Sequence, residues 1–242
     1  MCHDKVLSRE DLDNLVSQGT VLGYGSYGKA YLVRWDNSSA VLKLGNGRAT
    51  RRDFEVEAYF LDKLDGAGGA PKLLAVSYSP LSLLMSFEGH QTLEDLLRNH
   101  HLPSRYLGQI GLQICRCLQE IHARGIIHSD LHSGNILVTV PDDLSLPPKV
   151  NIIDFGLATY AVSTIALLPP DDKYLTLTAH VQASFDIDVD DDVGILSETI
   201  FVDVFNSMRE VPPLYIRQAA MDASVGIQSL EDLMDSVMEI FD

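Results

Sequence analysis

Three glycines, Gly23, Gly25 and Gly28, stand in the run Gly23-Tyr24-Gly25-Ser26-Tyr27-Gly28-Lys29-Ala30 at G-x-G-x-x-G spacing. Missing side chains there let backbone N–H groups approach phosphate oxygens. A dinucleotide-binding fold would open a helix straight after the glycines. Here Ala30-Tyr31-Leu32-Val33 continues as a strand, so the pattern predicts a glycine-rich hairpin, either a plain turn or a cover for phosphates. Lys43 ends the apolar strand Ala40-Val41-Leu42-Lys43, and the next helix carries Glu57 with Leu61 and Leu64 at i+4 and i+7. Taken singly, Lys43 reads as a solvated surface charge. An ammonium on a packed strand that meets a carboxylate on a packed helix forms instead a movable clamp for nucleotide phosphates. Further along, His128-Ser129-Asp130-Leu131 precedes Asn135, which stands five residues after Asp130, and Asp154-Phe155-Gly156 follows the apolar strand Val150 to Ile153.

Strands and helices must hold these groups in place. Residues 1–18 form a charged, weakly amphipathic lead-in with Leu7, Leu12, Leu15 and Val16 as its apolar positions. From Gly19 to Leu44 the pattern is strand-like, broken at Asp36-Asn37-Ser38-Ser39, residues that suit the turn between antiparallel strands. Residues 50–64 place Phe54, Ala58, Leu61 and Leu64 on one helical face, and KLLAVSY and LSLLMSF read as two further strands. The period then changes to that of helices. Thr92 caps TLEDLLRN, and a buried scaffold helix runs from Ser104 to about Arg124, with Gly125 just past its end. Short strands in IIHSD, NILVTV and KVNIIDF follow, and an apolar helix is expected in ILSETIFVDVFNSM and a closing amphipathic one in SLEDLMDSVMEIF.

The 242 residues suffice to bury a core without staples, and 46% hydrophobic with 21% charged residues is an ordinary globular balance. A net charge of −16 disfavours binding to nucleic acid or to an anionic membrane. Cys2, Cys115 and Cys117 give neither a disulfide framework nor a zinc knuckle. With no apolar stretch of membrane-spanning length, the expected setting is soluble and intracellular, in cytoplasm or nucleus.

Glycine loop, strand lysine, helix glutamate, the Asp130 to Asn135 loop and Asp154-Phe155-Gly156, in this order and spacing, resemble the signature set of the protein-kinase superfamily. The likeness covers roughly residues 19–200 and implies an α+β, bilobal fold. Its small lobe (19–88) would be a mainly antiparallel sheet with one helix, and its mainly α-helical lobe (89–242) a trimmed one. Carried over residue by residue, the resemblance implies that Gly23, Gly25, Ser26, Gly28 and Ala30 cover ATP, and that Lys43 holds its α/β-phosphates and pairs with Glu57. Asn135 and Asp154 would hold Mg2+, and Asp130 would accept or orient the substrate hydroxyl. Met85-Ser86-Phe87-Glu88 resembles the segment joining the lobes. Met85 would gate the adenine pocket, and the backbone of Ser86 and Glu88 would face the base. The implied partners are protein substrates phosphorylated on Ser or Thr.

Departures are as informative. Ser129 stands where the family's motif has arginine, which removes a reader for phosphate on the segment after Gly156, so activity is expected not to depend on phosphorylation there. His132 stands where serine/threonine kinases generally have lysine. The loop from His128 to Asn135 is also similar to that of aminoglycoside and choline phosphotransferases, so a small-molecule acceptor and a pseudokinase scaffold remain alternatives. No Ala-Pro-Glu follows Asp154. Asp188 and Glu198 can be laid on the family's later D-x-W-S-x-G helix, with Val193 replacing its glycine. The run Asp186 to Asp192 fails the calcium-loop pattern, having Asp191 and Ser197 where glycine and glutamate are needed.

Overall fold

A computed structural model describes residues 6–99, 101–165, 167–169 and 171–173, together with Asp192 and Val204. The elements run α1 (Arg9–Gln18), β1 (Thr20–Tyr24), β2 (Gly28–Trp35), β3 (Ser38–Gly45), α2 (Arg51–Leu64), β4 (Leu73–Tyr78), β5 (Leu81–Ser86), α3 (Leu93–Asn99) and α4 (Ser104–His122). Next come β6 (Ile126–Ile127), β7 (Ile136–Thr139), β8 (Lys149–Ile152), β9 (Thr159–Tyr160) and the turn-length α5 (Val162–Ile165). The fold is α+β. The helices expected near residues 195–208 and 229–241 lie outside the described residues, save that Val204 is fully buried in the main core.

β1 to β5 form one antiparallel sheet in the order β1-β2-β3-β5-β4. Asp36 and Asn37 turn the β2–β3 hairpin with φ of 44° and 64°, the left-handed pair that matches strand twist. Strand alternation then sorts side chains to two faces. Ala40, Leu42 and Leu84 face one side and meet Leu7 and Leu12, while Leu83 and Met85 join Phe54 on the other.

The lead-in is thus a folded part of this lobe and adds a second helix to its sheet. Ser8 and Asp11 close a capping box at its start, and the Leu7 N–H donates to the Val76 carbonyl at 3.1 Å. α2 begins in the same way: Thr50 Oγ1 accepts from the Asp53 N–H while Asp53 accepts from the Thr50 N–H.

On α4, Leu107, Ile110, Ile114, Leu118 and Ile121 are all buried, as their spacing requires. Gly125 ends it at φ 69°, a conformation that favours glycine. Cys115 and Cys117 sit on this helix as packing groups, with burial pushing each thiol up to about 12. Two small ladders complete the frame: β7 pairs with β8, joining Ile136 to Ile152, and β6 pairs with β9, joining Ile127 to Thr159. Among the described residues no helix is long and apolar enough to cross a membrane. Leu12→Ala should lower stability by about 2–4 kcal/mol, read as a lower urea midpoint by circular dichroism; an unchanged midpoint would show that α1 does not belong to the folded sheet.

Candidate active site

Register alone brings two of the expected residues together. Because Ile136 pairs with Ile152, Asn135 and Asp154 flank the same end of the β7–β8 ladder, and the Ile153 N–H donates to the Asn135 carbonyl at 2.9 Å. The Asn135 Nδ2 donates to the Asp130 carbonyl at 3.0 Å, which leaves Oδ1 as the amide atom Asn135 can offer to a cation.

Lys43 lies between two carboxylates from different elements. Its Nζ is 2.8 Å from Glu57 Oε2 and 2.8 Å from Asp154 Oδ1. Burial works against the ammonium, yet the fields of Glu57 and Asp154 outweigh it and hold Lys43 protonated well beyond its ordinary range. Asp154 balances the same way: desolvation opposes its charge, and Lys43 overcomes it and holds the carboxyl below the usual range. Burial raises Glu57, with Lys43 pulling the other way. One cation facing two carboxylates leaves local negative charge. The Asp154 side chain is 44% exposed and Lys43 engages one of its oxygens, Oδ1. Hard oxygens on Asp154, which is partly exposed, and Asn135 fit magnesium, which takes one or two protein ligands and completes its shell with water and phosphate.

The loop around Asp130 is held from beneath. Asp192, fully buried, accepts from the backbone N–H of His128 at 2.7 Å and of Ser129 at 3.0 Å, and its Oδ2 lies 3.1 Å from His122 Nε2. Sequence reasoning did not single it out, and Asp188 and Glu198 lie outside the described residues. The His128 ring fixes the turn further. Its Nδ1 accepts from the Asp130 N–H at 3.2 Å, so the proton sits on Nε2 and is donated to the Ile153 carbonyl at 2.9 Å. The ring also meets Phe155 edge-on, centroids 4.8 Å apart. Ser129 and Asp154 both take left-handed φ, 63° and 66°, unusual for residues other than glycine and a form of strain that gathers at functional sites.

The glycines divide by purpose. A Cβ on Gly28 would stand 2.5 Å from the Leu44 carbonyl, so the packing of β2 on β3 demands glycine there. A Cβ on Gly23 would meet nothing within 4 Å, and one on Gly25 nothing closer than 3.9 Å. Neither has a positive φ, so the fold itself asks for neither glycine. They keep open a cradle that a side chain would fill. Asn46, another residue without a sequence signal, braces the turn: its Nδ2 donates to the Ser26 carbonyl and its N–H to that of Tyr27, both at 3.0 Å. Ala30 is half-buried on β2, opposite Lys43 on β3.

Met85 is buried at the end of β5. The Ser86 N–H is committed to the Lys72 carbonyl at 2.9 Å. The Glu88 carboxylate accepts from Ser86 Oγ at 2.7 Å, Lys149 Nζ at 2.8 Å and Asn151 Nδ2 at 3.1 Å, which ties the linker to β8. Lys149 is thus paired with Glu88.

Gly28→Ala should cost about 1–3 kcal/mol through the Leu44 clash, whereas Gly23→Ala should stay within about 0.5 kcal/mol of the parent, both by thermal unfolding; equal losses would contradict this division. A second expectation concerns pH. Burial holds the folded His128 below its ordinary 6.5, so its contribution is complete above that value and is lost as the unfolded chain takes up a proton below it. Stability should fall by up to about 1.4 kcal/mol per pH unit below 6.5, and His128→Gln should remove that slope; an identical slope in both proteins would assign it elsewhere.

A family model of the protein kinase domain matches residues 16–176. Among similar curated proteins, the probable serine/threonine-protein kinase mkcF of Dictyostelium discoideum is 27% identical over 157 residues, covering 63% of this chain and 22% of that protein. Tyrosine-protein kinase JAK3 of Rattus norvegicus is 30% identical over 171 residues, 65% of this chain and 15% of its own length. A probable cAMP-dependent protein kinase catalytic subunit of Encephalitozoon cuniculi (strain GB-M1) is 27% identical over 167 residues, 64% and 50% respectively. The chain matches half or less of the length of these relatives, whose names include both serine/threonine and tyrosine kinases. With two thirds of its residues inside the family match, the chain belongs to the protein kinase family.

Proposed function

We propose that the chain is a Mg-ATP-dependent protein kinase that transfers the γ-phosphoryl group to Ser or Thr hydroxyls of protein substrates. The observation that carries this reading is the Lys43 ammonium 2.8 Å from both Glu57 and Asp154, the arrangement in which lysine and metal-binding aspartate act on one triphosphate. The sheet lobe with α2 and the lobe built on α4 enclose the nucleotide, with residues 86–88 as the joint. Gly23 and Gly25 let the backbone approach the phosphates, and Ser26, Gly28 and Ala30 extend that cover. Met85, Ser86 and Glu88 border the base.

Lys43 binds the α/β-phosphates and Glu57 keeps it pointed at them. Asn135 and Asp154 would hold magnesium, which would supply charge neutralisation on the phosphates. Asp130 orients the acceptor hydroxyl and takes its proton as the new oxygen–phosphorus bond forms and the β,γ-bridging bond breaks, releasing ADP. His128 and Asn135 hold the Asp130 backbone on both sides, which fixes the carboxylate without using its oxygens. Catalysis on this reading is mostly positioning and charge placement. The working setting is the cell interior, where unpaired thiols such as Cys115 stay reduced.

Asp130→Asn should abolish transfer to a serine/threonine peptide library while keeping most of the Mg-ATP thermal shift, and Asp154→Asn should lose both. Equal turnover by Asp130→Asn and parent would remove the assigned role. Transfer confined to a metabolite panel, which the His132 loop would favour, would replace the protein acceptor by a small molecule.

A further inference from the structure

Tyr59 lies two residues beyond Glu57 on α2 and meets the segment that follows Gly156. Its hydroxyl donates to Asp172 Oδ1 at 2.7 Å and lies 3.3 Å from the Tyr160 hydroxyl. One turn later Lys63 places Nζ 3.7 Å from Asp172 Oδ2 and 5.1 Å from the Tyr59 ring centroid. Tyr59, Phe60 and Tyr160 pack edge to face around this point, with centroids 5.3 to 6.2 Å apart. The Asp172 side chain is only 11% exposed, so salt screens this contact far less than one between surface charges. Burial first, then the bonds to Tyr160 and Asp172, drive the Tyr59 hydroxyl far above its ordinary range, and it remains a donor at every working pH.

The consequence reaches the site through α2. Glu57 touches Lys43 at 2.8 Å, and a slide of the helix by an ångström or so would break that contact. Tyr59 and Lys63, four residues apart on the same helix, are gripped by one carboxylate from the later segment. Ser129 offers no cation to a phosphate on that segment, and Lys149 is committed to Glu88. We propose that Asp172 is a positioning residue: through Tyr59 and Lys63 it holds α2 where Glu57 reaches Lys43, with a carboxylate encoded in the sequence. The kinetic consequence rests on the phosphotransfer reading above; the mechanical one does not.

The test compares the parent chain, Asp172→Ala, Asp172→Asn, Asp172→Glu and Tyr59→Phe by hydrogen exchange of α2 amides and by kcat and KM for Mg-ATP. Asp172→Ala and Asp172→Asn should speed exchange across residues 55–64 and lower kcat by about tenfold, with KM within about threefold of the parent. Asp172→Glu should restore most of both, and Tyr59→Phe, which keeps the ring, should fall between. Where Asp172→Ala fails to fold, Asp172→Asn and Tyr59→Phe decide. Exchange in α2 equal to the parent's in both Asp172→Asn and Tyr59→Phe overturns the proposal, as does faster exchange with undiminished kcat. A parent that transfers no phosphate would contradict the phosphotransfer reading, while the exchange arm would still decide the tether.

Discussion

An ammonium between two carboxylates is the constraint on which the rest depends. Lys43 comes from a strand, Glu57 from a helix and Asp154 from the turn after a second ladder, so three elements distant in sequence are registered on one nitrogen. Removing Lys43 would leave both carboxylates, one of them the buried Glu57, facing each other without a cation. The lowered Asp154 and raised Lys43 express the same mutual dependence. The group also carries more negative than positive charge, which suits a site meant to gather a divalent cation beside a polyphosphate.

Everything near that nitrogen serves to hold it in register. The β7–β8 ladder sets Asn135 beside Ile153, the β6–β9 ladder brackets the loop between them, and buried Asp192 ties that loop's backbone from below. His128 contributes a neutral ring that accepts on one nitrogen and donates on the other, which joins the Asp130 turn to the strand leading into Asp154. Left-handed Ser129 and Asp154 are the local strain that this network sustains. Above the site, Asn46 braces the glycine turn and leaves Gly23 and Gly25 facing open space.

The parts legible in the sequence were those whose signal is local. Two-residue alternation marked β2 to β5, the 3.6-residue period marked α2 and α4, and Asp36-Asn37 and Gly125 punctuated them. Lys43 and Asp154 were legible because each closes or follows an apolar run, Glu57 because its helix carries Leu61 and Leu64 at i+4 and i+7, and Asn135 by its spacing from Asp130. Asp192 was not, since nothing in a run of neighbouring aspartates tells which one turns inward; burial by other elements decides it. The lead-in hid its role because a single helical stripe containing Leu12 shows nothing of the sheet face it covers. Asn46, Tyr59 and Asp172 act through contacts made only on folding, and the carboxylate of Glu88 found Lys149 and Asn151 some 60 residues away in sequence.

The most direct test of this arrangement is the rate of phosphate transfer from radiolabelled Mg-ATP by Lys43→Met against the parent, both shown folded by circular dichroism. If the ammonium is the node of the site, the parent transfers phosphate and Lys43→Met loses at least about a hundredfold, on the order of 2.7 kcal/mol of transition-state stabilisation. A folded Lys43→Met that transfers phosphate at the parental rate would contradict it.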